Sequence, residues 1–280
     1  MASQLKVIKH SGIAADFNPQ KLRQSLLRSG ADEVAVANVL QAIQQQIYDG
    51  ISTKKIYQLA GSLLKKVSAS HAARYNLRSA LQLLGPAGFF FEKFMARVYA
   101  YEGYETLINL NLQGYCVSHE IDVVIKKAQR IAMVECKFHN SNANNSDVKV
   151  PMYILSRFND LKGNTHTLFA KRQKIDHCII ATNNRFTADA IAFASCSGLE
   201  LLAWDYPKNK GLKTKIDDKA LYPVTCLTTL SAIEKEKLLI LDLLLVKELL
   251  DNPSKLQKIG ISPNREKNII KEAAALCHYH

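Results

Sequence analysis

The 280 residues carry 37 lysines and arginines against 25 aspartates and glutamates, a formal net charge of +12. Hydrophobic residues make up 48% and charged residues 22%, which excludes a mainly disordered or collagen-like chain. The length predicts two or more domains, and the positive charge favours a polyanionic partner such as nucleic acid or nucleotide phosphates.

The spacing of the cysteines and the length of the apolar runs predict the cellular compartment of the protein. The six cysteines form no C-x-x-C pair typical of a metal or redox site, so we expect the reduced thiols of an intracellular protein. The N-terminus lacks the apolar core of a signal peptide, and the most apolar run, Leu238–Leu250, is interrupted by Asp242 and Lys247. A membrane span needs about 20 apolar residues, so the sequence predicts a soluble, cytoplasmic protein without a membrane partner.

Charge and breaker residues divide the chain into three parts. Residues 1–85 contain 11 basic and 4 acidic side chains, residues 86–207 contain 13 and 12, and residues 208–280 contain 13 and 9. The cluster Gly85–Gly88 and the basic stretch Pro207–Gly211 lie at the two limits and are typical of linkers. We therefore predict three domains with these boundaries.

Local signals predict a mainly helical N-terminal domain. Leu5–Lys9 has the pattern of a short strand, and Asn18 followed by Pro19 is typical of a capped helix start. Apolar residues at helical spacing predict helices over 19–29, 34–48, 53–66 and 71–84. The expected architecture is a small strand pair on a helical bundle.

The same residues carry a resemblance to a known domain. Val7-Ile8-Lys9-His10-Ser11-Gly12, followed by Asn18, Lys21 and later Arg74-Tyr75, is similar to the ATP-cone, the nucleotide-sensing domain of ribonucleotide reductases and their repressor. The resemblance implies ATP or dATP as effector, a homo-oligomer, and nucleotide binding by Val7, Lys9, His10, Asn18 and Lys21. The ATP-cone usually has arginine or another basic residue at the position of His10. Lysines beside a helix N-terminus can hold a triphosphate; the alternative is that they only solvate a small helical domain.

The central domain changes to a mixed pattern. Alternating runs at 117–126 and 131–138, joined by a short polar turn, predict a β-hairpin. Further predicted elements are helices over 89–102, 151–161 and 188–197 and strands over 177–182 and 199–204. The predicted fold class is α/β, a mixed sheet flanked by helices.

The hairpin brings together the residues that carry chemistry. If the two runs pair symmetrically about their turn, Asp122 lies opposite Glu135. Two positions along, Glu120 lies opposite Lys137, and the period of two places all four side chains on one face. The simplest interpretation is a solvated face with a Glu120–Lys137 ion pair, which requires no function. It leaves the opposed carboxylates unexplained.

A divalent cation accounts for the opposed carboxylates. Asp122 and Glu135 offer the hard oxygen ligands that suit Mg²⁺ or Mn²⁺, and we assign metal binding to these two residues together with Cys136. Lys137 projects to the same side, where its ammonium group can position a water for in-line attack on phosphorus. The predicted chemistry is phosphodiester hydrolysis.

The spacing of these residues resembles a nuclease motif. Asp122 followed by Glu135-Cys136-Lys137 is similar to the D…(D/E)-x-K active site of the restriction-endonuclease-like nucleases, in particular the Mrr-type branch. Phe91-Glu92, Gly103-Tyr104 and Ala181-Thr182-Asn183 match further positions of that branch, which often has Gln where this chain has Glu135. The resemblance implies a restriction-endonuclease-like fold and a DNA endonuclease, with Asp122, Glu135, Lys137, Glu92 and Glu120 as catalytic residues.

Other cations of the central domain are candidate phosphate contacts. They are Lys149, Arg157, Lys171, Arg172 and Lys174. Each can equally be an ordinary solvated side chain.

The C-terminal domain is predicted to be small and helical. Ser231 and Glu234 form the pattern of a capping box before a helix over 235–250, and Ser262-Pro263 precedes a helix over 264–276.

These patterns predict a metal-dependent endonuclease that acts on DNA and is regulated by ATP or dATP. The main alternative is a non-enzymatic, nucleotide-responsive DNA-binding regulator, and the lack of paired cysteines counts against a zinc-ribbon form of it. A third interpretation is a deoxynucleotide-metabolising enzyme that carries the sensor, although the sequence has no reductase-like cysteine pair.

Overall fold

The computed structural model describes residues 5–9, 12–85, 88–141 and 144–277. Its chain forms two compact units, one made of residues 1–80 with 224–280 and one of residues 81–223. The predicted nucleotide-binding residue His10 lies outside the described residues, as do Pro86 and Ala87 of the predicted linker.

Strands and helices alternate in short groups along the described part of the chain. The strands are β1 (Lys6–Ile8), β2 (Ala14–Asp16), β3 (Ile51–Ser52), β4 (Glu105–Gln113), β5 (Ser118–Lys127), β6 (Arg130–Lys137), β7 (His166–Leu168), β8 (Lys171–Gln173), β9 (His177–Thr182) and β10 (Glu200–Leu202). The helices are α1 (Pro19–Leu27), α2 (Glu33–Gln44), α3 (Thr53–Val67), α4 (Ala69–Tyr75), α5 (Leu77–Gln82), α6 (Phe89–Tyr101), α7 (Lys149–Leu161), α8 (Ala188–Cys196), α9 (Leu212–Asp218), α10 (Ala232–Ile240), α11 (Val246–Asp251), α12 (Ser254–Lys258) and α13 (Pro263–Cys277).

The unit of residues 81–223 is built around a mixed sheet. Within the described residues, its strands lie in the order β10-β9-β6-β5-β4. β4, β5 and β6 form an antiparallel meander, whereas β9 and β10 add in parallel on the other side of β6. β6 is central and buried along nearly its whole length. This arrangement confirms the predicted mixed α/β class.

Two helices of this unit border the site described below. α6 contacts β4 and β5, buries Phe91 and Phe94, and begins after Gly88, whose φ of 86° favours glycine. α7 packs against α8 and β9 and contributes Ile154 and Leu161 to a hydrophobic cluster with the sheet. Both helices are therefore anchored by apolar side chains and carry polar residues to the sheet.

Some strands were not predicted. β4 was missed because Asn109 and Asn111, residues of low strand propensity, interrupt its apolar residues and because much of this edge strand is exposed. The hairpin β7–β8 was missed because each strand has only three residues. Similarly, β3 adds a third strand, parallel to β1, where the sequence predicted a strand pair.

The other unit combines the two ends of the chain. In the described part of its sheet the strand order is β2-β1-β3, and α1, α2 and α3 surround a core that includes Leu26, Ile43 and Leu64. The first three helices have side-chain caps: Asn18 accepts the N–H of Lys21 as predicted, and Asp32 and Ser52 act in the same way.

The three-domain division stays a prediction, and the C-terminal residues pack with the N-terminal ones in one compact unit. α13 packs against α4, where Arg74 donates to the carbonyl of Leu276 at 3.1 Å. Lys65 of α3 donates to the carbonyl of Thr228 at 2.6 Å, and the hydroxyl of Thr225 donates to the carbonyl of Ala80 at 2.8 Å. These contacts join residues far apart in sequence, so composition along the chain could not indicate them.

Two predicted helices are each broken into two. The helix predicted over 235–250 becomes α10 and α11 because Asp242 adopts a left-handed conformation with φ of 56°. Glu248 then accepts the N–H groups of Leu244 and Leu245 at 2.9 and 3.0 Å, which restarts the helix. The helix predicted over 71–84 divides at Asn76 into α4 and α5.

Among the described residues, no helix combines the length and the apolar character needed to cross a bilayer.

Candidate active site

Strand pairing is interrupted on both sides of Asp122. β5 and β6 pair in the predicted register from Val123 opposite Val134 to Lys127 opposite Arg130, and the paired residues end there. β4 pairs with β5 before and after the Asn109–Asp122 position but skips that position, and Asn109 has φ of 52°. Asparagine tolerates this left-handed conformation better than most residues. The predicted register is thus confirmed from Lys127 to Val123, the residue next to Asp122.

The interruption turns the carboxylate of Asp122 towards β6. Its Oδ2 accepts the N–H of Cys136 at 2.7 Å. Ile121 and Val124 belong to the same hydrophobic cluster although they are three residues apart, so the alternation of faces breaks around Asp122. The period of two used to place Glu120 on the face of Asp122 therefore does not hold across this position.

Glu135 is the most buried acid of the site. The residue is only 3% exposed, and its main chain continues in the parallel ladder with β9, opposite Ile180. Lys137 Nζ lies 2.8 Å from Oε1, and Arg157 Nη1 of α7 lies 2.6 Å from Oε2. Lys137 thus binds Glu135, two residues along the same strand, and not Glu120 as in the alternative interpretation of a solvated face.

Arg157 has a role that the sequence did not indicate. Besides binding Glu135, it donates a second hydrogen bond to the carbonyl oxygen of Glu120. Its guanidinium therefore ties α7 to both strands, and the arginine predicted as a possible phosphate contact is occupied by protein groups. Nothing in the local pattern of α7 marks this contact, because its partners lie 22 and 37 residues away.

The site concentrates negative charge. Burial, followed by the neighbouring Glu135 carboxylate, raises the pKa of Asp122 to about 7, and the Cys136 N–H opposes this shift. Burial and the carboxylates of Glu120 and Glu135 also raise the pKa of Glu92 in α6, while Lys137 opposes that shift. The structure therefore brings the predicted acids into one electrostatic neighbourhood, where four acidic side chains face two cationic ones.

The donor chemistry of this neighbourhood fits a hard divalent cation. Among the described residues, no cluster of three or more His, Cys, Asp or Glu side chains is arranged as a metal site. The fit rests on the carboxylates of Asp122 and Glu135, whose like charges a cation would offset. The thiol of Cys136 is buried, which raises its pKa well above the usual range and keeps it neutral. A hard cation prefers oxygen to sulfur, so any part of Cys136 in metal binding falls to its main chain.

Two histidines near the site in sequence have structural partners. His119 Nε2 lies 2.8 Å from Oδ2 of Asp160, and the carboxylate of Asp160 also accepts the N–H groups of Cys116 (at Oδ1) and Val117 (at Oδ2). These bonds, led by that from His119, lower the pKa of Asp160 to about 2. His139 exchanges two main-chain hydrogen bonds with the buried amide of Asn183, at 2.8 and 2.7 Å. Both histidines thus secure loops beside the site.

A separate cavity lies in the unit of residues 1–80 with 224–280. It has a volume of about 400 Å³, and the predicted nucleotide-binding residues Val7, Lys9, Asn18 and Lys21 all line it. Arg28 adds a third cation that the sequence analysis did not single out. The structure therefore brings together every predicted nucleotide-binding residue that it describes.

Two stacked tyrosines form part of the cavity wall. The rings of Tyr57 and Tyr75 are 4.2 Å apart and 17° from parallel, and the hydroxyl of Tyr57 donates to the carbonyl of Tyr75. Burial raises the pKa of both hydroxyls above the usual range, so both stay neutral. The cavity thus combines an aromatic side with the lysines of its basic side.

Comparisons with known proteins place the chain in a family. It is 34% identical over 183 residues to an uncharacterized protein of Archaeoglobus fulgidus, a match that covers 64% of this chain and 97% of the relative. The crystal structure of the protein of unknown function AF1548 is also similar, with 30% sequence identity and a TM-score of 0.56 over 67% of this chain and 97% of that one. The chain belongs to the AF1548-like family.

Family models match two segments of this AF1548-like chain. Residues 222–277 match the model described as AF1548-like, C-terminal, and residues 86–206 match the Mrr catalytic model described as Restriction endonuclease. The predicted restriction-endonuclease-like domain is thereby confirmed, and it contains Asp122, Glu135 and Lys137. The interpretation of residues 5–84 as an ATP-cone stays a prediction.

Proposed function

We propose that this AF1548-like protein is a metal-dependent endonuclease of the PD-(D/E)-x-K type that hydrolyses phosphodiester bonds in DNA. The observation that carries the proposal is the group formed by Asp122, Glu135 and Lys137 within a restriction-endonuclease-like domain. Asp122 leaves the strand ladder to face β6, and Lys137 Nζ lies 2.8 Å from the buried Glu135. A lysine and two acids in one neighbourhood are groups that can support metal-assisted phosphodiester hydrolysis.

Asp122 and Glu135 would hold Mg²⁺ or Mn²⁺, with the main chain at Cys136 and with Glu92 nearby. Such an ion, when bound, supplies Lewis-acid neutralisation of the charge that develops on the phosphoryl oxygens. The pKa of Asp122, raised to about 7, supports this assignment because an unneutralised site resists a second negative charge.

The protein's own groups would orient the reacting water and the phosphate. The ammonium group of Lys137 has N–H donors in addition to the one that binds Glu135. It would position the attacking water and stabilise the developing negative charge. Arg157 would hold Glu135 in place, since its hydrogen bonds to the Glu135 carboxylate and to the carbonyl of Glu120 fix the carboxylate relative to β5. These roles leave Glu120 as an outer residue that contributes mainly its charge.

The proposal predicts metal-dependent cleavage of plasmid DNA by the full chain. We expect supercoiled plasmid to be nicked or linearised with Mg²⁺ or Mn²⁺ and to stay intact with EDTA, as followed by gel electrophoresis. DNA binding without cleavage in either metal would contradict the proposal and favour the nucleotide-responsive DNA-binding regulator.

We further propose that ATP or dATP binds the cavity lined by Lys9 and Lys21 and regulates cleavage, in a homo-oligomer. The supporting observation is that the nucleotide-binding residues implied by the ATP-cone resemblance line one cavity of about 400 Å³ where the structure describes them. α1 begins at Pro19 beside the cavity, capped by Asn18, so the positive end of its helix dipole adds to the charges of the lysines.

Removing either lysine is expected to weaken nucleotide binding. Lys9→Ala and Lys21→Ala should each raise the Kd for ATP or dATP about 10-fold in calorimetry, since a hydrogen bond between charged groups contributes about 1.5–3 kcal/mol. Lys66→Ala, at an exposed position of α3, is the matched control and should leave the Kd unchanged. Equal affinities in all three variants would exclude this cavity as the nucleotide site.

A further inference from the structure

One face of α7 carries a stripe of cationic and aromatic side chains that leads to the site. Lys149, Tyr153 and Arg157 follow one another at intervals of four residues, so they lie one above the other on the helix. Lys149 is exposed, Tyr153 is 61% exposed, and the side chain of Arg157 is only 13% exposed. The stripe therefore runs from solvent at Lys149 to the buried carboxylate of Glu135.

Contacts connect Tyr153 to the candidate catalytic residues. The guanidinium carbon of Arg157 lies 5.7 Å from the centre of the Tyr153 ring, within the range of a cation–π contact. The same guanidinium lies 2.6 Å from Glu135. An aromatic ring is thus held one side chain away from the site while most of its surface faces solvent.

The composition and length of the stripe match a strand of nucleic acid. Eight residues of helix span about 12 Å, which corresponds to three or four nucleotides at about 3.4 Å each. A lysine attracts phosphate, and an exposed tyrosine offers a face on which a base can stack. Tyr153 is 61% exposed, so most of its ring is open to a ligand.

We propose that this stripe binds the substrate strand, with Lys149 on a phosphate and Tyr153 stacked on an unpaired base beside the cleaved bond. This inference rests on the proposed nuclease function and deepens it. Bases inside a duplex already stack on their neighbours, so Tyr153 can engage only a base that is unpaired. The substrate class is therefore single-stranded nucleic acid, or a duplex opened locally at the cleavage position.

The test measures binding by the full chain to an oligonucleotide containing 2-aminopurine, with Ca²⁺ in place of Mg²⁺ to prevent cleavage. Wild type should quench the fluorescence of the single strand on binding. Tyr153→Leu should bind the single strand about 10-fold more weakly with less quenching, whereas Tyr153→Phe should retain both properties. Tyr48→Leu is the matched control, because Tyr48 is 63% exposed and belongs to the other unit.

Salt dependence tests the phosphate contact separately. Lys149→Gln should reduce the slope of log K against log salt by about 0.7 on a single strand. If the wild type cleaves plasmid but Tyr153→Leu keeps the same single-strand affinity and quenching, this inference is overturned and the proposed function stands. Absence of both DNA binding and cleavage in the wild type would overturn the two together.

Discussion

Asp122→Asn should reduce DNA cleavage about 1,000-fold, because it removes one of the two carboxylates on which the proposed metal site depends. Asparagine keeps the shape of the side chain and an oxygen that can accept the N–H of Cys136, the bond that Asp122 makes at 2.7 Å. The fold around β5 and β6 should therefore persist, and the loss should reflect charge alone. The measurement is the rate of plasmid nicking in Mg²⁺ and Mn²⁺.

Two variants sharpen this test. Lys137→Ala removes the ammonium group beside Glu135 and should also abolish cleavage, while Asp189→Asn, at an exposed position in the first turn of α8, should cleave like wild type. Circular dichroism should show the same secondary structure in all variants. Cleavage that persists in both Asp122→Asn and Lys137→Ala would mean that the nuclease activity lies elsewhere.

Glu272→Ala should destabilise the unit formed by the two ends of the chain by about 3 kcal/mol. Glu272 of α13 is 4% exposed, and its two oxygens accept four hydrogen bonds: from the N–H and hydroxyl of Thr228 at 2.7 and 2.8 Å, and from those of Thr229 at 2.9 and 2.6 Å. Hydrogen bonds to a carboxylate are stronger than neutral ones, and alanine leaves four donors without this acceptor. In the variant, water can hydrogen-bond to the half-buried threonines, which limits the loss of stability.

Hydrogen exchange measured by mass spectrometry can locate this effect. A loss of about 3 kcal/mol should speed exchange about 100-fold in peptides from α13 and residues 224–230, whereas peptides from β5 and β6 should keep their protection. Glu236→Ala, an exposed glutamate on α10, should change neither. Unchanged protection of α13 in Glu272→Ala would show that this carboxylate does not hold the C-terminal helices in place.

Local patterns in the sequence determined much of the candidate site. The period of two along β5 and β6, together with a short turn, set the register that the structure confirms from Val123 to Lys127. The helix caps Asn18 and Ser231 could be predicted because a cap and the N–H group that it accepts lie three residues apart. Interactions of such short range depend on neighbouring residues alone, and a sequence displays them directly.

Tertiary structure decided the contacts that connect distant residues. Arg157 binds Glu135 across 22 residues, and Glu272 binds Thr228 across 44, so no local period or cap indicates either pair. The break at Asp122 likewise depends on Asn109 of β4, an edge strand that the sequence analysis missed. The assembly of the two chain ends into one unit follows from packing between α4 and α13, which composition along the chain cannot reveal. The residue types of the candidate site were therefore evident from the sequence, while their partners and orientation came from long-range packing.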